Sequence, residues 1–303
     1  MSDRERNRSS DVLRSEAHCI EIIANAFSCA GVQLDASDDC GAPHASTDLV
    51  STDSLCEGAH FDRKYDTPEQ IGRQAAIVNL SDLAGSGAQA GWLVWALSLN
   101  DAWTESCLHG LAYGFGSVAA TYSASILGGN LSRTEGPTII GVTVGGPLTG
   151  EHPLLRSNAQ VGDEIYLSGP IGRATQGYMH PSPTFRQERH RWRPHLEESS
   201  LLAITAGVHA CMDVSDGLLK DAGRMADASE LSMHLETAQI PFVGEQDIAL
   251  RGGEDYVLLF SARPNTQLPD WATPIGVCRP GSGVYLNGHQ VQETGYDHFL
   301  ERQ

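Results

Sequence analysis

Lysine is nearly absent from this sequence: of its 20 basic residues only Lys64 and Lys220 are lysines, in a chain of 303. Any phosphate chemistry must therefore rest on arginine, backbone amides or metal ions. Positive charge as a whole is scarce, with 38 acids against 20 bases and a formal net charge of −18. That balance excludes a general nucleic-acid or anionic-membrane surface and suits cation binding or solubility. No apolar run approaches membrane-spanning length, and the opening stretch MSDRERNRSSDVLRSE lacks the apolar core of a signal peptide, so the expected location is cytoplasmic. The seven cysteines form no CxxC pair and no Cys/His spacing of structural zinc, which leaves reduced, mostly buried thiols. There is no GxxxxGKS/T, no GxGxxG after a strand and no GxSxG, so P-loop, Rossmann and nucleophile-elbow readings fall.

What is present suggests two α/β units. After a polar tail, EAHCIEIIANAFSCAG has helical spacing and stops at Gly31, a C-terminal cap. STDLVSTDSL reads as a strand ending in acids. TPEQIGRQAAIVNLSDLAGSGA opens with Thr67 as N-cap, Pro68 at the first helical position and Gln70 completing a capping box, with Asp82 near the far end. WLVWALSL reads as a buried strand, AWTESCLHGLAYGFGSVAATY as a glycine-interrupted helix and TIIGVTVGGPL as a β-branched strand. A second cycle begins near residue 151, with strands at GDEIYLSG and EDYVLLFSA, a helix at SSLLAITAG, and strand, turn and helix in ACMDVSDGLLKDAGRMADAS. Two domains, 1–150 and 151–303, are expected. Between these elements PSPTFRQERHRWRPHL reads as a solvated loop, since its prolines deny it regular structure.

Acids recur in one grammar: STDS at 51–54, LSDL at 80–83 and VSDG at 214–217, joined by SDDC at 37–40. Each places a carboxylate at or near the end of an element. The first belongs to VSTDSLCEGAHFD, where Asp53, Glu57, His60 and Asp62 crowd together and must be solvated or share a cation. Hard divalent ions such as Mg²⁺ prefer carboxylate oxygens and keep waters and substrate phosphates as remaining ligands. Ser/Asp pairs also cap helices and fill turns, and spacing alone leaves the two explanations equally open. Glycine-rich LGGNLSRTEG lies between a helix and a strand; it could bring backbone amides to phosphate oxygens or simply form a tight turn.

In order, SDDC, STDSLCEGAHF, VNLSDLAGSGA, GGNLSRTEG, RSNAQVGDEIYLSG, MDVSDGLLKD, GGEDYVLLF and GYDHF resemble the thiamine-monophosphate kinase family, within the aminoimidazole-ribonucleotide synthetase-like superfamily. The match spans roughly residues 37–299 and is specific as a set. The resemblance implies a two-domain α/β fold whose N-terminal strands form an intersubunit barrel, hence a homodimer. It also implies ATP- and Mg²⁺-dependent phosphorylation of thiamine monophosphate to thiamine diphosphate by direct in-line transfer. Asp39, Ser51, Thr52, Asp53, Asp82, Asp213 and Asp216 match the family's magnesium positions, with Asp53, Asp82 and Asp216 at the centre of the transfer chemistry. Arg156 and Ser215 match ATP contacts, Gly129 the phosphate-facing turn, and His60, Glu254 and Tyr296 the thiamine-phosphate side. Because the acceptor is itself an ionised phosphate, no dedicated general base is required.

The chain departs from the family where Asn130 replaces a metal-binding aspartate after the glycine pair, which keeps an oxygen but loses a charge. Ser37 stands for a glycine, Gln74 for a lysine and Tyr296 for a tryptophan; Tyr113 is near an adenine-side tyrosine. Tyr296 can still stack on a cationic heterocycle. Asn130 keeps a second reading open, a non-catalytic nucleotide- or thiamine-phosphate-binding homologue, and the superfamily resemblance a third, an enzyme of the same fold and ATP chemistry with another acceptor.

Overall fold

The computed structural model describes residue 40 and residues 48–179, 189–292 and 295–296. The helix expected before Gly31, Asp39, most of SDDC, residues 180–188 and the end of GYDHF lie outside the described residues. Strand β1 (Asp48–Cys56), helix α1 (Pro68–Gly85), β2 (Trp92–Leu99), α2 (Glu105–Thr121), β3 (Ser125–Arg133) and β4 (Ile139–Pro147) make the first sheet and its helices. The sheet runs β1-β4-β2-β3, antiparallel except for the parallel β2–β3 pair. After a short 3₁₀ turn, Arg156–Asn158, come β5 (Glu164–Leu167), α3 (Arg173–Met179), α4 (Leu196–Ile204), β6 (Val208–Asp213), α5 (Leu218–Ala228), β7 (Ser232–Leu235), α6 (Gln246–Arg251), β8 (Leu258–Ala262), β9 (Thr273–Arg279), β10 (Gly283–Leu286) and β11 (His289–Gln290). Their strands form a second sheet in the order β11-β10-β7-β9-β5-β8-β6.

Helix α1 joins the two sheets. Its start follows from the sequence: the Thr67 hydroxyl accepts from the Gln70 amide, the Gln70 side chain accepts from the Thr67 amide, and Pro68 supplies the first turn. From Ile71 to Gly85 nearly every residue is buried, on all faces, as expected of a helix packed between layers rather than on a surface. Its polar residues are satisfied locally: Asn79 donates to the Ala75 carbonyl and accepts the Asp53 amide, pinning β1. Helix α2 approaches so closely that a Cβ on Gly72 would lie 2.0 Å from the Leu111 carbonyl oxygen, and one on Gly114 2.0 Å from that of Glu69. Gly114, one of the glycines that interrupt the pattern of α2, is thus a packing position rather than a break.

Strand β8 is buried throughout and alternates between two cores. Leu258, Phe260 and Ala262 face a cluster shared with α1 and the first sheet, whereas Leu259 joins a second cluster with Leu218, Ala222 and Met225 of α5. The first cluster therefore couples the two sheets through α1.

Candidate functional site

The C-terminal half of α1 presents consecutive residues to opposite sheets. Ser81 donates to Asp213 Oδ2 at 2.5 Å, at the end of β6, and Asp82 Oδ2 accepts from Ser51 on β1, also at 2.5 Å. The serine of the first Ser/Asp unit is thus bonded to the aspartate of the second, and the serine of the second to Asp213, just ahead of the third. Burial pushes the fully enclosed Asp213 carboxyl up to about 7, with the negative neighbours Asp221 and Asp216 adding to the rise and Ser81 and Arg156 opposing it. An acid in that state is short of positive charge. Ser51 and Leu49 lie on the α1 side of β1, whereas the neighbouring Thr52 hydroxyl bonds the Val142 carbonyl at 2.8 Å and lies 3.1 Å from Thr143 Oγ1 on β4. The side chains of Ser51 and Thr52 are therefore not brought together. Asp53 is exposed, and its Oδ1 accepts the Ser54 amide at 2.6 Å. Glu57 and Asp62, which looked equally exposed to repulsion, are held by protein donors: Asn100 and the Thr138 amide for Glu57, the Lys64 amide for Asp62.

The donor set fits a hard cation. Carboxylate and hydroxyl oxygens are paired at Asp82/Ser51 and Asp213/Ser81, and Mg²⁺ uses one or two protein carboxylates with waters and phosphates completing its shell. Among the described residues no three or more acidic, histidine or cysteine side chains close around one point, and Asp39 is outside them.

The VSDG turn after β6 is wedged between two other predicted segments. Ser215 accepts the Glu254 amide at 2.7 Å, and the Asp216 carbonyl accepts the Tyr296 amide at 2.9 Å, so Ser215, Asp216, Glu254 and Tyr296 form one cluster. Glu254 and Tyr256 both have positive φ, 64° and 53°, in a segment that precedes β8 rather than starting it. Burial pushes the Glu254 carboxyl up to about 7, with Arg189 opposing the rise.

Arg189 was not legible as a site residue, and the solvated-loop reading of PSPTFRQERHRWRPHL needs correction in its described part. Arg189, Trp192 and His195 are 4%, 8% and 7% exposed. The Arg189 guanidinium lies 3.2 Å from both Asp66 oxygens, 3.7 Å from Glu254 Oε2 and 3.5 Å above the Tyr178 ring, and donates to the His60 carbonyl. That carbonyl also accepts from Tyr178 at 2.5 Å and Gln74 at 3.3 Å. The His60 ring is fixed separately: its Nδ1 accepts the Cys56 amide at 3.0 Å, leaving the proton on Nε2. Prolines exclude regular structure here, but a buried arginine with two carboxylates and two aromatic rings, those of Tyr178 and Trp192, replaces it.

GGNLSR is the other correction: it is strand β3, not a turn. Gly128 has φ +139° at a bulge against β2, and a Cβ on Gly129 would meet Trp95 at 2.3 Å. Register places Asp53, Val142, Trp95 and Gly129 in one row across the sheet, and Ser54, Gly141, Ala96 and Asn130 in the next. Three strand spacings, roughly 14 Å, separate the ends of each row, so within one chain no single cation is ligated by both Asp53 and Asn130. Arg156 lies in the 3₁₀ turn, its carbonyl bonded by Ser229 at 2.8 Å and its charge acting on Asp213. Tyr113 is 61% exposed on α2.

Buried acids make the ligand-free protein sensitive to pH. Burial pushes Asp255 up to about 7 although its oxygens accept from the amides of Gly172 and Ala174. For Asp255 and Glu254 the folded pKa exceeds the unfolded one, so their stabilisation is full below the ordinary carboxylate range and is lost as pH rises through about 7. His195, lowered to about 4 by burial, acts oppositely but only below its ordinary 6.5. Between about pH 6.5 and 8 the melting temperature is therefore expected to fall. Differential scanning calorimetry of Asp255→Asn checks this: a slope no flatter than that of the parent contradicts it.

Comparison with known proteins adds to this geometry. Residues 37–147 match the family description "AIR synthase related protein, N-terminal domain", and residues 160–272 match "AIR synthase related protein, C-terminal domain". The thiamine-monophosphate kinase of Aquifex aeolicus (strain VF5) is 31% identical over 275 residues, 83% of this chain and 88% of that protein. The chain belongs to the thiamine-monophosphate kinase family. A second member, from Haemophilus influenzae, is 31% identical over 317 residues, covering 89% of this chain and 93% of its own. Among solved structures of the family, AaThiL complexed with AMPPCP and TMP superposes with a TM-score of 0.85 at 26% identity, over 94% of this chain and 97% of that one. The two-domain α/β fold of the family is thus the fold of this chain. No described helix is long and apolar enough to cross a membrane.

Proposed function

We propose that this chain is a kinase that transfers the terminal phosphoryl group of ATP to thiamine monophosphate, giving thiamine diphosphate. The observation that carries this is the bonding at the end of α1, where Ser51–Asp82 ties the helix to the first sheet and Ser81–Asp213 ties it to the second, beside the Glu254 cluster. Relatives bearing that activity in their name, and a neighbour complexed with AMPPCP and TMP, support the reading. Ser51, Asp53, Asp82 and Asp213 would hold magnesium, with Asp39 and Thr52 as further positions. Bound magnesium neutralises charge between donor and acceptor phosphates. Arg156 and Ser215 orient the nucleotide from the second sheet. On the acceptor side, Glu254 offers a buried negative charge to a cationic heterocycle, Tyr296 an aromatic face and His60 an Nε2 proton to the acceptor phosphate. The acceptor arrives ionised, so the protein aligns and neutralises and abstracts no proton.

A homodimer is part of the proposal. Strand β3 is exposed along its whole length at a sheet edge, with Ile126, Leu127 and Leu131 at 45%, 64% and 62% exposure, an edge that a second copy would cover.

Asn130 favours the alternative of a binding protein without turnover, and one variant tests whether this residue belongs to the metal site at all. Asn130→Asp is expected to lower the magnesium concentration for half-maximal nucleotide binding by about tenfold, since carboxylate charge sets ion affinity. Unchanged magnesium dependence, read by calorimetric titration, would remove Asn130 from the metal site. Substrate class is tested by supplying candidate acceptors and measuring ADP release. Consumption with thiamine monophosphate alone supports the proposal, and consumption only with another acceptor contradicts it.

A further inference from the structure

Asp216 differs from the other acids of this seam because it already has two cations of its own. Lys220 Nζ lies 2.9 Å, and Arg224 Nη2 2.6 Å, from the same oxygen, Oδ2. Spacing of i, i+4 and i+8 stacks the three side chains on one face at the start of α5. Neither cation depends on Asp216 alone. Arg224 Nη1 bonds Asp221 Oδ1 at 2.9 Å, and the other oxygen of Asp221 accepts the amides of Asp216 and Gly217. Asp221 is fully buried, so Arg224 cannot leave without stranding a charge. Lys220 donates to the Tyr296 carbonyl, in the segment whose amide bonds the Asp216 carbonyl.

The resemblance expects magnesium at Asp216, and the residues present do not fit it. A divalent ion there would meet two fixed positive charges, on a carboxylate whose own charge they already balance. We propose that Lys220 and Arg224 replace a divalent cation at Asp216 and take a phosphate oxygen of a nucleoside polyphosphate directly; this rests on the kinase reading above. The two side chains are 18% and 31% exposed, so each keeps surface that a ligand can touch. The arrangement uses one of only two lysines in the chain. It also ties the nucleotide side to the acceptor side, because Lys220 grips both Asp216 and the Tyr296 backbone.

Lys220 carries the test, since Arg224→Met strands Asp221. Full-length protein saturated with a non-hydrolysable ATP analogue is titrated with Mn²⁺, and bound ions are counted by electron paramagnetic resonance. Lys220→Met is expected to bind one more Mn²⁺ per chain than the parent. At limiting Mn²⁺ its affinity for the analogue falls about tenfold, the loss of one charge-assisted contact, and recovers as Mn²⁺ is raised. Lys220→Arg keeps the parent's count. Equal ion counts and equal analogue affinity in parent and Lys220→Met overturn the inference while leaving the kinase reading intact. A parent that binds neither analogue nor Mn²⁺ overturns the kinase reading, and this inference with it.

Discussion

Asp53→Asn is expected to abolish magnesium-supported nucleotide binding and to lower turnover by about 10³-fold, with little change in melting temperature. The separation of function from stability follows from how Asp53 is held. Its amide bonds Asn79 at 2.9 Å, independently of the carboxylate, and its position on β1 is fixed by the register with β4. The bond that the carboxylate accepts from the Ser54 amide can be made equally by an asparagine oxygen. What asparagine cannot supply is charge. Nucleotide affinity measured across a magnesium titration checks this, and an unchanged affinity would make Asp53 a structural residue of β1 with no part in the metal site.

Arg189→Ala is expected to destabilise the fold by about 3–5 kcal/mol, the range for removing one partner from a buried ionic cluster. Asp66 and Glu254 lose their shared guanidinium. Burial pushes Asp66 up, yet His190 and Arg189 hold it below the ordinary carboxylate range, so its charge depends on partners that the variant depletes. The same deletion removes one of three donors from the His60 carbonyl and the cation from the Tyr178 face. Because His60 and Glu254 belong to the acceptor side of the proposal, KM for thiamine monophosphate should rise well before KM for ATP. Equal rises in the two constants would point to general loosening instead.

These two residues show what a sequence can and cannot disclose. Asp53 stands in a repeated Ser/Asp pattern, and helix α1 announces itself through Thr67, Pro68 and Gln70, because capping and periodicity are local and leave local signatures. Arg189 is 123 residues from Asp66, and nothing around it distinguishes a buried guanidinium from a solvated one. Its neighbours were informative about regular structure and silent about burial. Strand β3 failed for a different reason: Gly128 and Gly129 read as a turn, whereas they are needed for a bulge and for clearance beneath Trp95, a side chain on another strand. The pairing of Ser51 with Asp82 and of Ser81 with Asp213 was likewise invisible, since the pattern suggests self-contained Ser/Asp units, whereas the fold bonds the serine of the first to the aspartate of the second and the serine of the second to Asp213, just ahead of the third. Lys220 and Arg224 follow Asp216 at helical spacing, so their reach was implicit in the sequence, but the salt bridges become evident only once Asp221 and Tyr296 are seen to anchor them.

The central claim is that acids drawn from both sheets onto one helix end support phosphoryl transfer between two anions. Purified protein incubated with ATP, thiamine monophosphate and increasing magnesium, with products separated by chromatography, tests it most directly. The account predicts thiamine diphosphate and ADP in equal amounts, with formation rising with magnesium. Absence of thiamine diphosphate at every magnesium concentration, while both ligands still bind, would contradict it.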